Sequence, residues 1–221
     1  MTTTPGTPDA PRVAVHGEAR LDVDPEIARI GITVTARGTD RRATLDDLTR
    51  RNSHVLELIE SYGEAVETTE TSSFTIAPEL TKHGRGERVR AYHGTVHIEA
   101  VLTDFTALGE LTTRLADLDL TRVDGPWWAL RPESPVHREA RQQAVREAVT
   151  RAREYAGALG AELADLIELA DTDMESGGVL RGFAGTAAAT ESDTPALDLE
   201  PRRQSVYAQV NARFTTTRPT L

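Results

Sequence analysis

Strict alternation of apolar and polar residues opens the body of the chain. Val13, Val15, Ala19, Leu21 and Val23 share one parity over 12–23, and Ala28, Ile30, Ile32, Val34 and Ala36 share one over 26–37. A period of two is that of a strand with one buried face. The Asp24-Pro25 turn signal between the two runs predicts antiparallel strands joined by a tight turn. Gly17 shares the apolar parity and is read as a bulge position. The period then changes to three and four. Leu45, Leu48, Asn52, Val55, Ile59 and Tyr62 form a helix stripe, with Asp40 as N-cap and Gly63 as the stop. Asn52 interrupts that stripe and is read as a buried amide bonded to nearby backbone.

Strands follow at 66–77 and 88–103, with Thr81–Glu87 as the hairpin loop between them. In the second of these, Tyr92, Val96, Ile98, Ala100 and Leu102 make the apolar face, while His93, Thr95, His97 and Glu99 make a wet one. Asp104 caps a second helix with Phe105, Leu108, Leu111, Leu115 and Leu118 as its stripe, and a strand at 121–131 contains Trp127-Trp128. Ser134-Pro135 starts a third helix, ended by Gly160. Its alanines at 140, 144, 148, 152 and 156 recur every four residues and allow a close approach to whatever covers them. A strand at 163–171 precedes the aperiodic stretch 173–203, which is expected to be a mobile loop. Val206, Ala208, Val210, Ala212 and Phe214 mark a returning strand at 204–217.

The order ββαββαβαββ predicts an α+β fold: an antiparallel-dominated sheet with three helices mainly on one face. It spans 12–217 as one domain, with short tails at 1–11 and 218–221.

Composition removes whole function classes. A chain of 221 residues can bury a core without staples. The net charge of −10 repels phosphate backbones and anionic bilayers, so nucleic-acid binding is not expected. No run of apolar residues is long enough for a membrane-spanning helix, so no membrane insertion is expected. The absence of cysteine rules out disulfides, thiol nucleophiles and thiolate metal sites. Lys82, the sole lysine, sits in a polar glycine-rich turn unsuited to Schiff-base chemistry. Met1–Pro11 shows neither the basic nor the apolar region of an export signal, so a cytoplasmic location is expected.

Candidate chemistry is sparse. The histidines are His16, His54, His83, His93, His97 and His137. His93 and His97 share a strand face about 13 Å apart, too far for one metal without ligands from a neighbour. His137 falls in the first turn of the third helix and is read as structural or incidental. No G-x-S-x-G or phosphate-loop pattern occurs, and Asp46-Asp47 and the Asp171/Asp173 pair read as ordinary surface charges. No catalytic residue, cofactor site or metal site is expected. Trp127-Trp128 is the remaining feature. Neighbours on a strand face opposite sides, so one indole enters the core and the other faces out. The outward one is either an interface anchor or a rim residue half covered by a loop.

Three stretches give the chain a resemblance to the SIMPL-domain family, formerly a domain of unknown function. They are Val13-Ala-Val-His-Gly17-Glu-Ala19 through Val23-Asp-Pro25-Glu-Ile-Ala28; the Asn52 helix leading to Thr71, Ile76-Ala-Pro78 and Tyr92; and Ala140-Arg-Gln-Gln-Ala144 through Ala156-Gly-Ala-Leu-Gly160. The order agrees over roughly 12–217. Glu26 stands where the family usually has Asp, and Ala19 where it usually has Gly. The family includes bacterial periplasmic immunogenic proteins and oxidative-stress-linked proteins, and has no agreed catalytic residues to transfer. The resemblance implies a non-enzymatic interaction or self-assembly protein with a stress link, forming a homo-oligomer through sheet edges or the exposed face of Trp127 or Trp128. The alternative is a small-molecule or metal-binding stress protein using the polar face of strand 88–103.

Overall fold

The computed structural model describes residues 7, 10–80, 88–172 and 197–220. In chain order the elements are β1 (Arg12–Val23), β2 (Ile27–Gly38), α1 (Arg41–Glu60), β3 (Val66–Leu80), β4 (Val89–Leu102), α2 (Phe105–Ala116), β5 (Thr121–Ala129), α3 (Pro135–Ala158), β6 (Leu163–Asp171) and β7 (Gln204–Thr216). The order ββαββαβαββ and the α+β class are as the sequence predicts. Thr81–Glu87, and residues 173–196 of the expected loop, lie outside the described residues.

The helix starts follow from their caps. Asp40 accepts from the Ala43 amide at 2.8 Å. Asp104 accepts from Thr106 and Ala107 at 2.9 and 3.1 Å, and Ser134 accepts from Val136 with Pro135 in the first turn of α3. Each satisfies amides that have no partner inside the helix. The end of α1 differs from expectation. Its C-cap is Ser61, and Gly63, at φ +52°, instead opens a 3-10 turn over Gly63–Ala65.

Strand pairing also departs from the prediction. The strands form two antiparallel sheets, β1-β7-β6 and β3-β4-β2-β5, where a single sheet was expected. β1 and β2 therefore do not make a hairpin. Alternation fixes which face of a strand is buried and leaves its partner open. β7 matches β1 residue for residue, from Arg12 opposite Thr215 to Val23 opposite Gln204.

The chain divides into two compact units. The first holds β1, α3, β6 and β7, with α3 lying on β1 and β7. The alanines at 140, 144, 148, 152 and 156 are at most 2% exposed. Gly17 is not a bulge, because the β1–β7 register runs through it without a shift. Its role is steric. A Cβ there would lie 2.6 Å from the Ala148 Cβ and against the Ala144 carbonyl. The helix is also tied to β1 by Arg151, whose guanidinium donates to the His16 carbonyl at 2.7 Å.

The second unit holds β2, α1, β3, β4, α2, β5 and residues 197–203. Ile30 and Ile32 of β2 and Ile98 and Leu102 of β4 pack with Leu48, Val55 and Ile59 of α1 and with Leu108, Leu111 and Leu115 of α2. Leu199 joins this core, and the Leu197 amide donates to Thr113 Oγ1 at 3.1 Å. Asn52 does not make the bond expected of it, since its buried Oδ1 has no hydrogen-bond partner. On the same helix Asp47 is held below the usual carboxylate range, first by its hydrogen bond from Arg51 and then by Arg50, with burial opposing.

The α3 contact gives a direct test. Ala148→Leu forces three extra carbons into the space beside Gly17 and is expected to cost about 1–3 kcal/mol. Urea unfolding measures it, and an unchanged midpoint would mean that the alanine stripe does not carry the contact.

Candidate functional site: a tryptophan groove on the open sheet face

The covered face of the second unit's sheet is apolar, and its opposite face is polar. On β2, Arg29, Thr33 and Arg37 alternate with buried Ile30, Ile32 and Val34. On β4, His93, Thr95, His97 and Glu99 point the same way, the wet face expected from the sequence. Thr33 pairs with His97 in the register, and their Oγ1 and Nδ1 atoms are 2.9 Å apart.

β5 decides the fate of the two tryptophans. Arg122 and Asp124 lie opposite Thr33 and Gly31, whereas Trp127 and Trp128 lie opposite Arg29 and Ala28. One extra residue thus enters β5 between Asp124 and Trp127, where the register shifts. This bulge exchanges the faces of everything after it. Gly125, at φ +114°, supplies the backbone conformation the bulge needs, and the Gly125–Pro126 peptide is cis. Without the shift, Trp128 would share the open face with Arg122 and Asp124. With it, Trp127 does.

The two indoles are accordingly separated. Trp128 is half-buried and meets Phe105 edge-on, with centroids 4.8 Å apart at 78°. Trp127 is 52% exposed. The far end of its ring reaches over Gly31, where a Cβ would lie 3.3 Å from its Cη2. Among the described residues no guanidinium stacks on this ring. Trp127, Gly31 and the flanking side chains line a groove of about 720 Å³ running across β5, β2, β4 and the bulged Ser72-Ser73 segment of β3.

The groove's charge is balanced. Arg122 is paired with Asp124 at 2.6 Å. Arg29 and Glu99 make no ion pair among the described residues. Among the described residues no three histidine or acidic side chains come together as metal donors, and His93 and His97 remain separate surface groups. His16 lies in the other unit, bonded to Asn211 at 3.1 Å, and His54 is exposed on α1. His137 lies in the first turn of α3, and His83 is outside the described residues.

The model of the SIMPL family, described as a protein of unknown function (DUF541), matches residues 13–214. The chain belongs to the SIMPL family. Among curated proteins, none matches it. Of its helices none is long and apolar enough to cross a membrane, among the described residues. For this SIMPL protein, sequence reasoning singled out the Trp127-Trp128 pair, without saying which of the two faces outward, and the wet face of β4, and missed Arg29, Gly31, Arg122 and Asp124. Two signals in the sequence mark Gly31 and the bulge of β5, though not the arginines: an isolated glycine within an alternating strand, and the Gly-Pro pair before the tryptophans.

The separation of the indoles predicts unequal effects on stability. Trp128→Ala is expected to cost about 2–4 kcal/mol through the lost Phe105 contact and the cavity left behind. Trp127→Ala should stay within about 0.5 kcal/mol. Denaturant unfolding of both variants checks the difference, and equal losses would contradict the assigned faces.

Proposed function

We propose that this SIMPL-family protein acts without catalysis, as an interaction protein whose copies assemble along β6, in the stress-linked setting that the family resemblance suggests. One observation carries the reading. β6 is an outer strand of its sheet, and its Leu166, Ile167 and Leu169 are 54%, 40% and 47% exposed. Leu166 and Leu169 lie opposite Phe214 and Ala212, which are buried beneath α3. The apolar face of the sheet thus continues past the edge of its helix. An exposed apolar edge strand is an association site, because it offers both unpaired backbone groups and surface that gains from leaving water. Two register shifts break the β6–β7 ladder, so side chains carry more of the contact than a long backbone ladder would.

The other outer strands are blunted. β3 carries Pro78, and β5 carries Pro126 beside its bulge, so each lacks a backbone donor within the strand. β1 presents Arg12, Glu18, Arg20 and Asp22 to solvent. The occupant that fits β6 is therefore a second β6, related by a two-fold axis that makes the same apolar patch serve both sides. The charge of −10 keeps copies apart at long range but places only Glu168 among these three apolar residues.

Light scattering of the full chain at tens of micromolar tests this. The parent is expected to be a dimer or larger, with its mass unchanged by chelators. Leu166→Lys combined with Leu169→Lys should give a monomer with the parent's circular dichroism and unfolding midpoint. A monomeric parent would overturn the reading.

A further inference from the structure

We propose that the groove over Gly31 is a binding site for a neutral oligosaccharide, with one pyranose ring stacked on Trp127. The argument starts from the indole. An aromatic side chain half exposed on an open sheet face leaves apolar surface in water, and its π-face carries partial negative charge. A pyranose offers the complement: one face made of C–H groups with partial positive charge, edged by hydroxyls. The ring of Trp127 is held in place from below, because Gly31 has no side chain and the ring end settles over it.

The surrounding side chains select hydroxyls over other groups. A sugar hydroxyl donates one hydrogen bond and accepts others. The groove supplies both partners side by side. Arg122 donates and Asp124 accepts, and the two are already locked together at 2.6 Å, a spacing suited to adjacent hydroxyls. His97, tethered to Thr33, and the hydroxyls of Ser72 and Ser73 lie along the same floor. A flat aromatic ligand would use Trp127 and form no hydrogen bonds with these groups, so it would gain less from the groove.

Charge decides for a neutral ligand. Two arginines and two carboxylates line the groove, so it carries no strong field of either sign. Glu70 lies directly opposite Glu99 in the β3–β4 register, so a second carboxylate borders that side and disfavours an anion there. The size is that of a ligand site, about 300–1,000 Å³, and larger than one sugar ring needs. The groove is open to solvent across four strands, as suits a chain of sugars passing over it.

The test uses the full-length protein and three neutral probes: cellotetraose, maltotetraose and tetra-N-acetylchitotetraose. The chain has only two tryptophans, and Trp128 is held against Phe105. A fluorescence change on titration therefore reports on Trp127. At least one probe should shift the emission to shorter wavelength and give saturable heat in calorimetry. Trp127→Ala should weaken that calorimetric binding by roughly tenfold or more, and Arg122→Ala should weaken it while keeping the fluorescent reporter. Each tetrasaccharide is short enough to meet one groove alone, so the Leu166→Lys, Leu169→Lys variant should bind these probes like the parent, and failure of assembly and failure of this site are separate results. No response to any probe, or binding that survives Trp127→Ala unchanged, would overturn the proposal. So would a Trp127→Ala variant that alters only the protein's mass in solution, which would assign the groove to a protein contact.

Discussion

The second unit is organised by the alternation of one strand. β2 lies between β4 and β5, and Ala28, Ile30, Ile32, Val34 and Ala36 are all at most 1% exposed. Their burial under α1 and α2 leaves no freedom of register, because a slip of one residue would put every one of them in water. The same alternation forces Arg29, Gly31 and Thr33 onto the opposite face. The groove is thus a by-product of core packing: its floor is fixed by the residues that the core requires between them. This is the reason to regard the floor as rigid, since it cannot move without moving the core.

In the first unit the controlling feature is the absence of side-chain volume. Five alanines on α3 and Gly17 on β1 bring helix and strand into closer contact than larger residues permit. Small residues contribute little apolar area each, so such a contact depends on fit more than on transfer energy. It also confines α3 to β1 and β7. β6 gains little cover from the helix, and its leucines and isoleucine remain exposed as a consequence.

Much of this was legible in the sequence. The three helices and the long strands β1, β2, β4 and β7 follow from a period of three to four or of two, whereas β5 and β6 show no clean alternation, and the caps at Asp40, Asp104 and Ser134 fix the helix starts. Pairing was not legible, because alternation carries no information about partners: Gly17, read as a bulge, is a helix contact, and β1 and β2 join different sheets. At the site, the sequence showed that the two indoles part company and not which one goes outward. That depended on a single inserted residue beside Gly125, a local backbone event that reverses parity without disturbing composition. Arg29 and Arg122 could not be singled out among many surface arginines, since only the cross-strand register brings them to one groove.

The two proposed surfaces differ in the energies they use, and that difference links them. The edge of β6 is apolar, so association there draws on area removed from water and is little affected by salt. The groove is open and hydrated, and each hydrogen bond formed there replaces one to water, so its net gain is small. A single open groove of this kind binds a sugar chain weakly. Assembly changes that arithmetic. Copies joined through β6 carry several grooves in one particle, and a sugar chain long enough to reach more than one of them meets each later groove at a raised effective concentration, which increases overall affinity by roughly 10²–10⁴ without any new interaction. An assembly through an apolar edge and a weak polar site on another sheet are therefore complementary: the first supplies multiplicity, which is what the second lacks.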